Sequence, residues 1–266
     1  MLGAFLLAWY FWMLRTRGPQ HVQPGEPVAT RGQIRNAILA VVLIQIGAQW
    51  PMHDLAEGYL YSVHMIQHLI FTLGVAPLLL CATPPWMARM LLPGPCMRAA
   101  RALSRPIVAL AIFNVTIVFT HWPTIVDLSL RSELFHFAMH TVLVLTAMLM
   151  WMPVLSPVIE IPRLSYPGQL VYLFLQSLVP TVPASFLTFG AHPLYPIYAM
   201  YPHPWGISTL ADQRTAGVIM KLAGGGALWA VITVLFFKWH AQERDGVDAL
   251  SLRDVDASLN RMELRH

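Results

Sequence analysis

The sequence predicts an all-α fold, a polytopic membrane helix bundle of about seven transmembrane helices. Composition is the first reason. Of 266 residues, 56% are hydrophobic and 11% charged, where a soluble globular chain carries about 25% charged residues. Patterning is the second. Apolar runs at about 1–14, 34–50, 58–82, 106–122, 133–153, 168–190 and 213–239 are separated by polar or Pro-rich breaks. Loop charge is the third, because it alternates along the chain and gives the bundle a direction.

A span needs roughly 20 apolar residues, so the first run is short and the second marginal. Arg15 and Arg17 follow the first run instead of preceding it, and no A-x-A-like site comes after. It therefore reads as a retained helix and not as a signal peptide. Residues 1–239 form one membrane domain, and 240–266, with mixed charge, form a short solvated tail. No segment resembles a soluble module, and no basic face with interleaved aromatics offers itself to nucleic acid. The lipid bilayer is the expected surrounding. Cys81 and Cys96 are far apart, so neither a redox CxxC nor a thiolate metal clip is present.

The loop after the first run holds Arg15, Arg17, Arg31 and Arg35 against Glu26. The loop after the third holds Arg89, Arg98, Arg101 and Arg105 with no acid. The intervening loops carry Asp54, Glu57, Asp127 and Glu133 against Arg131. The positive-inside rule then places the N-terminus outside and the C-terminus in the cytoplasm.

With that direction, the histidines collect near the outer face. Two runs contain HxxxH pairs, His64 with His68 and His136 with His140. At 1.5 Å per residue, His64 and His68 lie roughly 10 and 16 Å along their helix, and His136 and His140 roughly 5 and 11 Å along theirs. Positions i and i+4 share a helix face, so each pair points both rings one way. Glu57 and Tyr61 continue the first stripe and Glu133 the second. His121 ends the fourth run at the same surface, with Asp127 behind it, and His53 precedes the third.

Ionisable groups inside a span mark function by default. Imidazole suits zinc, copper, iron and nickel, and the thioethers of Met65 and Met139 tilt the set toward Cu(I). A carboxylate beside a ligating imidazole fixes its tautomer, the role expected of Glu57, Asp127 and Glu133. The competing reading is that such histidines are hydrogen-bonded core residues. Two pairs at matched depth favour a metal or haem. His192 and His203 lie in a Pro-rich loop and read as interface residues, and most Met and Trp as packing or aromatic belt. Lys221 lies about 13 Å into the last run and is expected either to snorkel or to pair with a buried carboxylate.

The segments 64-HMIQHLIFTLGVAPLLL-80, 121-HWP-123, 136-HFAMH-140, 151-WMPVL-155 and 212-DQRTAGVIMK-221 occur together in this order. In this the chain resembles the multi-spanning bacterial CtaG-type assembly factors of caa3-type cytochrome c oxidase, over nearly its whole length. The resemblance implies a multi-pass protein of the bacterial plasma membrane, non-catalytic, working with cytochrome c oxidase subunits, with copper as the suspected metal. His64, His68, His136, His140 and His121 are then the expected metal ligands. Glu57, Asp127, Glu133, Met65, Met139, Asp212 and Lys221 are expected to support them. Haem or iron are the alternatives: a haem-binding redox protein, or a di-iron membrane enzyme built on the same HxxxH pairs. A transporter is a further class.

Overall fold

The structure, a computed structural model, describes residues 2–263; of Leu2, Pro204 and residues 245–263 it describes the backbone alone. His266, assigned above to the tail, lies outside the described residues. The described chain is helical, with no strand among these residues.

Helix α1 (Leu2–Thr16) packs against α2 (Arg31–Ala48). α2 starts at a capping box in which the Thr30 hydroxyl accepts from the Gln33 N–H at 3.2 Å and the Gln33 side chain accepts from the Thr30 N–H at 2.8 Å. This reciprocal pair satisfies two of the donors a helix start leaves bare. After a break comes the short α3 (Met52–Gly58), then α4 (Tyr61–Leu69). α4 continues through a π-helical turn, Ile70–Val75, into α5 (Ala76–Ala82). The next four helices each begin on proline: α6 (Pro85–Leu91), α7 (Pro95–Leu103), α8 (Pro106–Thr120) and α9 (Pro123–Arg131). Proline suits that position, since its fixed φ is helical and its missing N–H is not needed there. Then follow α10 (Glu133–Leu155), α11 (Tyr166–Leu178), α12 (Thr181–Phe189) and α13 (Thr209–Ile219). A second π-helical turn, Met220–Gly224, leads into α14 (Gly225–Glu263), which runs on without a break through the tail.

Each of the seven expected runs is helical, but the count of spans changes. Five helical stretches are long and apolar enough to cross a membrane, namely Arg31–Gly58, Tyr61–Ala82, Glu133–Leu155, Tyr166–Phe189 and Thr209–Arg244. A sixth arises only if α7 and α8, bent by 79°, are taken as one span. α1 and α8 have 15 residues each, about 22 Å of helix, short of a hydrocarbon core of about 30 Å.

The core runs through α4, α5, α8, α10, α11 and α13, with Met65, Leu143, Met150 and Leu173 almost fully enclosed. Polar side chains stitch it from inside. Asn114 donates to Gln176 at 2.6 Å, Gln176 to the Tyr172 hydroxyl at 3.2 Å, and Tyr172 to the Met150 carbonyl at 2.8 Å. The Trp151 indole donates to the Thr72 carbonyl inside the first π turn at 2.9 Å. Buried polar groups need such partners. α13 lies so close to α12 that a Cβ on Gly217 would sit 2.8 Å from the Ala184 carbonyl oxygen and the Thr188 nitrogen.

One end of the bundle gathers the chain around Trp86, whose indole donates to the Val28 carbonyl at 2.9 Å, and an exposed Arg89–Glu160 ion pair at 2.7 Å. The hydrogen bond from Arg89 holds the Glu160 carboxyl below its usual range. His21 stacks on Trp86 at this end, at 5.5 Å between ring centroids, whereas the HxxxH pairs lie at the other.

Candidate metal centre

α4 and α10 deliver two histidines each because their HxxxH spacing keeps both rings on one helix face. The His64 and His68 ring centroids are 4.3 Å apart, and those of His136 and His140 4.2 Å. Across the helices, His64 lies 5.6 Å from His136 and 5.8 Å from His140, and His68 lies 5.2 Å from His140. One nitrogen from each of His64, His68 and His140 falls within 4.8 Å of the other two. Metal–imidazole bonds of about 2.0–2.1 Å in a tetrahedral site put ligand nitrogens roughly 3.3 Å apart. Small ring rotations could therefore bring these three onto one ion.

His136 stands one step outward. Its Nε2 is 3.2 Å from His140 Nε2 and 3.1 Å from Glu57 Oε1, and the same carboxylate oxygen is 3.0 Å from His53 Nδ1. Glu57 thus bridges His53 and His136. It does so from α3, since the helix breaks between Gly58 and Tyr61, and does not continue the α4 stripe as the spacing predicts. Several buried nitrogens have no partner: Nδ1 of His64, His68 and His136, and Nε2 of His121. Leaving such groups unsatisfied costs about 1–3 kcal/mol each, and a bound cation would remove that cost by taking up lone pairs.

His121 closes α8 beside this group, its ring 6.0 Å from that of His68. Its Nδ1 is 2.7 Å from the Ile117 carbonyl oxygen. Only a protonated Nδ1 can donate there, which leaves Nε2 with a free lone pair. The Tyr195 hydroxyl donates to the His121 carbonyl at 2.8 Å, and burial pushes that phenol up to about 12, so it stays a donor. Tyr198 donates to the Ala56 carbonyl at 3.0 Å. The loop that carries both tyrosines is thereby pinned over the histidine end, a contact the Pro-rich sequence did not reveal.

The supporting residues divide. Asp212 accepts the backbone N–H of Tyr61 at 2.6 Å and of Ser62 at 3.1 Å. It therefore caps α4 from 150 residues away, holding in place the helix that carries His64 and His68. Its neighbour Gln213 accepts from the Leu194 N–H, tying down the tyrosine loop. Met139 lines the histidine chamber, whereas Met65 lines a separate cavity on the other side of His68. Asp127 pairs with Arg131 at 2.8 Å on the surface and touches no histidine. Glu133 is exposed at the start of α10. Both lie at the rim because α9 and the first turn of α10 reach past the packed core. Lys221 is exposed, with no carboxylate within ion-pair distance among the described residues. Of the two alternatives for Lys221, pairing with a buried acid is not seen among the described residues. His192 and His203 are exposed, apart from the cluster.

Fold and site define a multi-pass helical membrane protein with a buried imidazole cluster that could bind a metal ion. Comparison with family models identifies it further: the cytochrome c oxidase caa3 assembly factor model (Caa3_CtaG) matches residues 5–242. The chain belongs to that family. Neither the curated proteins nor the solved structures include a match.

Proposed function

We propose that this chain serves assembly of haem–copper cytochrome c oxidase by holding copper, as cargo, in the chamber formed by His64, His68, His136 and His140. It acts without catalysis, in the bacterial plasma membrane, and the chamber faces outward, where the copper centre of the oxidase's exposed subunit is the recipient. The observation that carries this reading is the convergence of three imidazole nitrogens within 4.8 Å from two helices. Glu57 beside His136 supplies the carboxylate that orients a ligating ring and raises its basicity. Imidazole binds as the neutral base, so protons compete with the metal and affinity falls as pH drops.

The haem alternative is less well supported. The space among the four rings is about 10 Å³, room for an ion and none for a porphyrin. A di-iron site takes several carboxylates or more histidines, and Glu57 is the one acid in contact with the cluster among the described residues.

Metal analysis of purified protein tests the reading. Wild type should bind copper, and the His64→Ala, His140→Ala double variant should lose it, with affinity down tenfold or more. In cells that variant should still insert, while oxidase accumulates short of copper and added copper partly restores it. Copper binding and oxidase activity like wild type in the double variant would leave these histidines as packing residues.

A further inference from the structure

A second cavity adjoins the histidine chamber, and its lining is different. It has a volume of about 60 Å³, and Met65, Met150 and Met220 line it together with His68, His121 and, at one edge, Lys221. Met65, Met150 and Met220 are buried. His68 lines both spaces. His121 is 94% enclosed by its 6% exposure, and its Nε2 lone pair meets no donor. None of the residues lining this cavity is acidic.

We propose that this cavity is a distinct binding site for a soft monovalent cation, Cu(I), held by the thioethers of Met65, Met150 and Met220 with the His121 and His68 imidazoles. Thioether and imidazole donors together select Cu(I) over harder divalent ions. Charge argues the same way. All five donors are neutral, and the cost of burying an ion away from water rises with its charge. The histidine chamber, with Glu57 against it, lacks that bias. A volume of about 60 Å³ accommodates an ion and an accompanying water. Two π-helical turns shape the cavity, one following His68 and one carrying Met220. Such turns are frequent at functional sites. This extends the copper reading from one chamber to two, joined through His68.

The test uses detergent-purified full-length protein in a Cys81→Ser, Cys96→Ser background, so that no thiolate contributes sulfur. Ag(I), a redox-inert stand-in for Cu(I), and Zn(II) are titrated separately. X-ray absorption of the Ag(I)-loaded protein should show sulfur among the nearest neighbours. The Met65→Leu, Met150→Leu, Met220→Leu variant, close in volume, should lose that sulfur signal and bind Ag(I) tenfold or more weakly, with Zn(II) binding unchanged. His64→Ala, His140→Ala should lose Zn(II) yet keep the sulfur-bound Ag(I). Only nitrogen and oxygen around Ag(I) in the parent protein, or Ag(I) affinity unchanged in the triple variant, would overturn the second site. Loss of the Zn(II) site alone bears on the histidine chamber: if the parent protein binds no Zn(II) but shows sulfur-bound Ag(I), the first reading fails and this one stands.

Discussion

At the residue scale, Lys221 separates two ways in which a charge is tolerated within an apolar helix. A paired lysine leaves an uncompensated acid when removed, at a cost of about 3–5 kcal/mol; a snorkelling one does not. Lys221 is exposed and has no acidic partner among the described residues. Lys221→Met should therefore leave expression and melting temperature within error of wild type, as a thermal melt in detergent would show. A drop of many degrees would mean a partner this geometry does not show. The sequence pointed to four of the histidines because i,i+4 spacing is a local rule that survives folding, and to His121 because it ends an apolar run at the same surface. It singled out Glu57 as a supporting carboxylate but set it on the stripe of His64 and His68, whereas its helix breaks at Gly58 and its carboxylate reaches His136 from another element. It could not expose Met150 and Met220, since a methionine in a span looks the same whether it fills the core or lines a cavity.

At the scale of elements, the packing of α13 on α12 rests on Gly217. A methyl group there would sit 2.8 Å from the backbone at Ala184 and Thr188, and backbone atoms cannot rotate away. Gly217→Ala should lower stability by about 1–3 kcal/mol, read as a fall in melting temperature, despite alanine's better helix propensity. The two helices would separate slightly, and with them Gln213 and Asp212. Metal affinity should weaken in the same variant, although no ligand has changed. The apolar periodicity made these helices predictable, but their π turns were not. One extra residue in a turn leaves hydropathy untouched while rotating everything that follows, so 58–82 reads as a plain span and folds as three segments.

For the whole molecule, alternation of loop charge predicted which loops share an end, and the structure gathers the segment before α2 and the start of α6 at the end away from the HxxxH pairs. The number of full spans was less legible, because α1 and α8 have 15 described residues each. Direction across the bilayer has its own test. A reporter fused after Arg98 should be cytoplasmic and one fused after Asp127 exported; both on one side would reverse or dismantle the outward-facing chamber. The cap that Asp212 places on the start of α4 has a consequence for timing. Every histidine of the chamber has been synthesised by residue 140, yet the residue that anchors the helix of His64 and His68 emerges some 70 positions later. A nascent chain therefore carries all four histidines before α13 caps α4, so their mutual arrangement waits for the last long helix.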